Sequence, residues 1–209
     1  MFNVCPGCGE YSDDKEVIPL PPVAICPHCQ YGSPFVLLPL FIVTGASGSG
    51  KTTAALKLSR KMKDVVVLDQ DILWNDRFNT PDDNYKEFRS TWLRMAKNIN
   101  QAGRPVVLFG SAIPEQFEKL NERRYIEKTH YLTLYCQPEE LKNRLMARPH
   151  WRQSGCEENL KSMVEFNDWL KVNADQTEPK MTLLDTTTMD ISDTVDAIQD
   201  WVAERLSKN

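Results

Sequence analysis

The sequence predicts an α/β fold: a five-stranded parallel sheet with helices on both faces, preceded by a small cysteine-rich unit. Three observations carry that reading. Beyond residue 34, short runs rich in Val, Leu, Ile and Phe alternate with segments of helical periodicity, the pattern of a parallel sheet covered on both sides. The octapeptide Gly45-Ala46-Ser47-Gly48-Ser49-Gly50-Lys51-Thr52 lies between the first such run and the first helical segment. Ahead of them, two Cys-Pro-x-Cys knuckles, one with Cys5 and Cys8 and the other with Cys26 and Cys29, stand 17 residues apart.

Taken in order, strands are expected at 35–44, 65–69, 105–109, 131–136 and 181–185, each short and apolar as strands buried on both faces are. Helices are expected at about 50–62, 85–102, 114–127, 138–147, 157–174 and 191–206. In the last of them Ile191, Val195, Ile198, Val202 and Leu206 step at three to four residues. Residues 1–34 form one unit and 35–209 the other, and the short linker implies that the two pack together.

With 209 residues, 41% hydrophobic and 26% charged, the chain has the makings of a globular α/β domain with a small appendage. The longest apolar stretch, 35–43, is nine residues and contains Pro39, about half of a membrane span. No basic start followed by an apolar run marks a secretory signal, so a cytoplasmic protein without a membrane partner is expected. Of the formal charge of −4, residues 1–34 hold −3, with Glu10, Asp13, Asp14 and Glu16 against Lys15. Neither charge balance is that of a nucleic-acid binder, which needs a basic face, so nucleic acid is not the expected partner, with a local basic patch formed in three dimensions left open.

Two residues between cysteines let one tight turn aim both sulfurs at a single ion, with Gly7 and Gly9 supplying backbone freedom. Two such turns make a closed four-thiolate site, so Cys5, Cys8, Cys26 and Cys29 are assigned to structural zinc. His28 is read as facing solvent or supporting the ligands, Cys136 as core and Cys156 as a loop residue. The unit resembles zinc ribbons, which names a shape and not a function.

The octapeptide is suited to holding phosphates. Glycines 45, 48 and 50 let backbone N–H groups turn inward, and the following helix adds the positive end of its dipole. Gly45, Ala46, Ser47, Gly48, Ser49, Gly50, Lys51, Thr52 and Thr53 are therefore assigned to nucleotide binding. Lys51 reaches the β- and γ-phosphates, and the Thr52 hydroxyl takes a Mg²⁺ position. The second strand ends in Asp69-Gln70-Asp71. Carboxylates at i and i+2 of an extended segment share a side, so Asp69 is a magnesium ligand and Asp71 a proton acceptor for a substrate hydroxyl. A helix cap at Asp71 is the alternative.

On the strength of this octapeptide and the Asp69-x-Asp71 pair, residues 38–206 resemble the P-loop small-molecule and nucleotide kinases. These include shikimate, gluconate, adenylyl-sulfate and nucleoside monophosphate kinases. The resemblance implies a P-loop kinase fold, ATP as phosphate donor, Mg²⁺, and a small-molecule hydroxyl or phosphate as acceptor, with nucleosides and nucleotides among the candidates. It also implies that Arg144, Arg148 and Arg152, at spacings of four, belong to a lid at about 148–156 that closes over ATP. In the same way it sets Thr186, in the run Asp185-Thr186-Thr187-Thr188, against the adenine. Planar cations at that spacing fit a triphosphate, although Arg144 paired with Glu139 or Glu140 on a solvated helix face is the plainer reading.

For the acceptor pocket the candidates are Asp71, Trp74, Arg77, Phe78, Gly110 and Ser111, with Asn75, Trp92 and Arg94 nearby. Trp74 and Phe78 are the stacking residues, and Trp92 is core. Trp169 is read as packing with Leu160, Met163, Val164 and Leu170, and Asn167 as polar where Leu would be cheaper. The third strand lacks a terminal carboxylate at Gly110-Ser111, which argues against a motor or AAA-type ATPase. Two alternatives remain beside a small-molecule kinase: a regulatory nucleotide-binding module whose ribbon docks a partner, and a polynucleotide 5′-hydroxyl kinase. The residues do not choose between ATP and GTP, and they leave the oligomeric state unknown.

Overall fold

The computed structural model describes residues 3–149 and 155–208. At its centre is β4 (Leu40–Gly45), buried along its whole length. Alternate residues of this strand feed two different cores, as the two-residue period of a strand requires. Leu40 and Ile42 join Val106 and Leu108 under one helical layer. Phe41 and Val43 join Val107, Phe109, Leu132 and Leu134 under the other. A sheet with two apolar faces needs helices on both sides.

Parallel partners of β4 are β6 (Val106–Phe109) and β7 (Thr129–Tyr135), with β5 (Val66–Asp69) and β8 (Met181–Asp185) outside them. The order is β5-β6-β4-β7-β8, so the chain runs to one side of β4 and then returns to the other. That reversal opens a crevice at the carboxyl ends of the central strands. Helices α1 (Lys51–Lys61) and α6 (Ile191–Leu206) contribute Leu58, Val195, Ile198 and Val202 to one face. Helices α2 (Lys86–Asn100) and α5 (Glu157–Asn173) contribute Trp92, Leu93 and Leu170 to the other. Helix α4 (Pro138–Met146) packs Leu141 and Leu145 beside Ala46 and Cys136.

Two sequence expectations need correction. The stretch 35–44 forms a strand only from Leu40, because the apolar residues before it pack on the N-terminal unit instead of pairing in the sheet. The stretch 114–127 is not one helix: α3 is Glu115–Glu118, and a 3₁₀ segment, Asn121–Tyr125, follows.

The N-terminal unit is a three-stranded antiparallel sheet of β1 (Glu16–Pro19), β2 (Pro22–Ile25) and β3 (Gly32–Pro34). Its inner face, Val17 and Ala24, closes over Phe35, Leu37 and Tyr125, so the two units do pack together. Among the described residues no helix is long and apolar enough to cross a membrane.

Candidate active site

The loop between β4 and α1 has the geometry of a phosphate cradle. Gly45 has φ 151°, and a Cβ there would sit 2.6 Å from the Leu134 carbonyl oxygen and the Ser49 hydroxyl, so only glycine fits. Gly50 caps α1 with φ 96°, no side chain caps the helix, and no acidic residue lies in its first turn. The first N–H groups of α1 are thus left for an anion. Lys51 folds back onto its own loop, donating to the carbonyls of Gly45 (2.8 Å) and Ala46 (2.9 Å). Arg148 Nη1 donates to Ser47 Oγ at 2.9 Å, which brings α4's carboxyl end to the loop.

Asp69 ends β5, and its Oδ1 accepts the N–H of Asp71 at 3.0 Å, capping the 3₁₀ turn Gln70–Leu73. The pair is therefore not two residues of an extended strand. Both carboxylates nonetheless line one cavity of about 660 Å³, together with Ser47, Gly48, Gly50, Lys51, Thr52 and Arg148. The capping duty falls to Asp69 and not to Asp71. Thr52 and Asp69 offer the hard oxygen donors that magnesium prefers, and they are the residues that would hold it.

The same cavity is also lined by Trp74, Asn79, Tyr85, Phe88, Arg89, Gly110, Ser111, Ile113, Gln116, Met163 and Phe166, and Ser111 Oγ donates to the Gly45 carbonyl at 2.9 Å. Trp74 stands edge-on to Phe88, with ring centroids 5.2 Å apart. Tyr85 adopts a left-handed φ of 59° at the start of α2, a conformation that non-glycine residues hold only when their surroundings require it.

Arg89 was not among the sequence candidates. It is 6% exposed, its Nη1 donates to Gln70 Oε1, and its Nη2 donates to the Ser111 carbonyl at 2.8 Å. Its Nε has no hydrogen-bond partner, and among the described residues no carboxylate pairs with it. Burial pulls its pKa down to about 10, against the opposing pull of Tyr85 and Tyr131. A guanidinium held out of water without a counter-charge is costly, and the cavity beside it is where an anion can sit. The signal in the sequence was a charged residue within the apolar face Phe88, Trp92, Leu93, Ala96.

Other expected residues lie elsewhere. Phe78 is 2% exposed, packed on Phe88 in the core, and is no stacking surface. Arg77 lies 4.5 Å over the Phe78 ring and outside the cavity wall. Asn75 caps the turn Asp76–Phe78, Arg94 pairs with Glu122 at 2.8 Å, and Trp92 is core. Thr53 is exposed on α1 and not in the wall.

Arg144 takes the plainer role: its Nε donates to Glu140 at 2.7 Å and its Nη2 to the Thr186 carbonyl at 2.8 Å. Thr186 is buried, bonded to the Tyr135 carbonyl. Trp169 packs by stacking on Phe166, with 39% of its surface exposed. Asn167 is buried and donates to the Cys136 carbonyl at 2.9 Å. Arg152 and most of the expected lid fall outside the described residues.

Lys51 has its pKa lowered to about 8 by burial, with Arg148 lowering it further and Asp71 and Asp69 opposing. The charged form is the one that binds phosphate. Below pH 8 the ammonium is already present, whereas above it a proton must be taken up with the ligand. ATP affinity should hold steady up to about pH 7.5 and fall by roughly tenfold toward pH 9. Calorimetry in buffers of different ionisation enthalpy should detect that uptake.

In the N-terminal unit the four cysteine sulfurs lie within 4.8 Å of one another. Cys5 and Cys29 are 3.6 Å apart, and Cys8 and Cys26 3.8 Å. A tetrahedron with zinc–sulfur bonds of about 2.3 Å has edges of about 3.8 Å, so the set fits zinc. Burial disfavours the Cys5 thiolate, yet the N–H groups of Cys8 and Gly7 and the thiols of Cys29 and Cys26 together bring its pKa down to about 6. His28 is exposed, Cys136 is buried, and Cys156 is exposed at the start of α5.

The sheet order, the glycine loop and the facing carboxylates define a P-loop kinase fold with a cysteine ribbon ahead of it. The chain belongs to the AAA domain family, whose model matches residues 42–165. The expectation that set it apart from AAA-type proteins therefore fails at family level, although the end of β6 is indeed Gly110-Ser111 without a carboxylate. Among solved structures, a putative kinase from Chloroflexus aurantiacus is 16% identical with a TM-score of 0.54, covering 83% of this chain and 98% of that one. A sugar kinase from a Janibacter species is 21% identical with a TM-score of 0.52, covering 80% and 95%. A gluconokinase from Sinorhizobium meliloti is 18% identical with a TM-score of 0.50, covering 80% and 95%. No curated protein matches the chain.

Proposed function

We propose that this protein is an ATP- and magnesium-dependent phosphotransferase whose acceptor is a small molecule carrying a reactive hydroxyl or phosphate and a separate anionic group. One observation carries the reading: the phosphate cradle, two carboxylates and an unpaired buried guanidinium face a single cavity. The cradle and Lys51 hold the triphosphate, and Thr52 and Asp69 would hold Mg²⁺, which neutralises phosphate charge when bound. With a hydroxyl acceptor, Asp71 takes the proton as the oxygen–phosphorus bond forms and the bond to the ADP oxygen breaks. Arg148, tied to the loop at Ser47, stabilises charge on the transferring group. Trp74 supplies a flat apolar wall, Gly110 and Ser111 border the acceptor, and Arg89 binds its anionic group. The fold neighbours include a sugar kinase and a gluconokinase, which is consistent with a small acceptor; nucleosides and nucleotides share the needed features.

The test is to incubate the protein with Mg-ATP and pairs of acceptors matched in ring or chain but differing in charge: nucleoside against nucleoside monophosphate, sugar against sugar acid. Product is read by mass. Charged members should turn over at least tenfold faster in kcat/KM than neutral ones. Equal turnover of both would remove Arg89 from the acceptor site, and no product with any member would leave nucleotide binding alone.

A further inference from the structure

We infer that the cysteine ribbon positions α2, and through it the acceptor half of the cavity; the acceptor half of this inference rests on the phosphotransferase reading above. The carboxyl half of α2 is gripped by the ribbon and its linker. Lys97, 2% exposed, donates from Nζ to Asn3 Oδ1 at 3.1 Å and lies 4.6 Å from the Tyr125 ring centroid. Gln101, just past the helix, bonds Val36 twice: its Oε1 accepts the Val36 N–H at 2.9 Å, and its Nε2 donates to the Val36 carbonyl at 3.2 Å. The 3₁₀ segment Asn121–Tyr125 links the same parts from the side. Arg124 bonds the Asp13 carbonyl at 3.2 Å and approaches the Asp14 carboxylate at 3.5 Å, while Glu122 holds Arg94 of α2 at 2.8 Å.

The amino half of the same helix carries Phe88 and Arg89, with Tyr85 at its cap, all in the cavity wall. Arg89 and Lys97 are eight residues apart, about 12 Å along a rigid rod. A displacement at one end therefore reaches the other. The phosphate cradle is mounted on β4 and α1 and meets this wall at Ser111, whose Oγ donates to the Gly45 carbonyl at 2.9 Å while its own carbonyl accepts from Arg89.

The ribbon's own apolar cluster is small, with Ala24 the sole fully buried apolar side chain its strands add to Phe35 and Tyr125. A unit of this size needs its metal to keep a shape. Metal loss should therefore release Asn3, Val36 and Asp14 from their partners and loosen α2, while β4 and α1 keep the cradle in place. Lys97 is a positioning residue in this scheme, distant from the chemistry.

The experiment uses the full chain, its zinc content first measured and then removed by chelation, with Lys97→Met and Lys97→Arg made in the zinc-loaded protein. Zinc release should speed amide exchange across 86–100 by roughly tenfold or more while α1 and β4 keep their protection. The Kd for Mg-ATP should stay within about twofold. With an acceptor from the charge-matched pairs, KM should rise roughly tenfold and kcat change by less than about threefold. Lys97→Met should reproduce a part of both effects, and Lys97→Arg should restore them. Unchanged exchange in α2, or collapse of the whole protein at once on chelation, would overturn the inference, even if no acceptor had been found. Faster exchange with an unchanged acceptor KM would overturn its acceptor half and leave the kinase reading standing.

Discussion

Replacing Asp71 with Asn should lower turnover by roughly two to four powers of ten while leaving ATP affinity and melting temperature nearly unchanged. Asn keeps the size of Asp but cannot take a proton. The structure removes the main competing explanation, because the cap of the Gln70–Leu73 turn is Asp69, not Asp71. Loss of rate in Asp71→Asn therefore cannot be charged to a lost cap. Asp69→Asn is the informative partner: Asn caps as well as Asp, so the turn should persist while the magnesium concentration for half-activity rises. Single-turnover kinetics with magnesium titration separates the two. Full activity in Asp71→Asn with an established acceptor would remove the proton-acceptor assignment.

Lys51→Met should cost roughly two to three powers of ten in kcat/KM, the scale of losing one charged donor to a transferring group in a site shielded from water. The fold should be indifferent or slightly firmer. Among the described residues Lys51 hydrogen-bonds backbone carbonyls of its own loop, and its charge is disfavoured there by burial. Lys51→Arg should not recover the rate, since a planar fork is a poor substitute for a compact ammonium in a loop shaped by glycine. A thermal melt beside the kinetics would show whether lost activity is lost chemistry; wild-type rates in Lys51→Met would end the catalytic reading of the loop.

The strand 181–185 and the helix 191–206 were legible to the residue, because the first is a short apolar run just after Pro179 and the second opens on the Asp190 cap and repeats apolar residues every three to four. The stretch 35–39 was apolar for a different reason. It lines the join between ribbon and sheet, and hydrophobicity alone does not tell a strand from a packed connector. The break within 114–127 follows partners no local pattern encodes: Glu118 takes both Arg123 and the Tyr131 hydroxyl. In the site, the placement of the glycine loop, Asp69 and Asp71 around one cavity could be read because these residues are contiguous or nearly so in sequence. Phe78 was misjudged and Arg89 was passed over. A phenylalanine among polar residues suggested exposure, and a lone arginine on the apolar face of α2 drew no reading, yet both depend on what the turn 76–78 and α2 face in three dimensions.

The isolated Arg89 also bears on how this pocket refuses ligands. With its Nε already cut off from water and without a partner, the guanidinium carries a cost that burial has imposed in advance, which an anionic guest relieves and a neutral one does not. Selection at this wall would then work through the relief a charged guest brings. Neutral analogues of a charged acceptor should bind more weakly however well their outlines match.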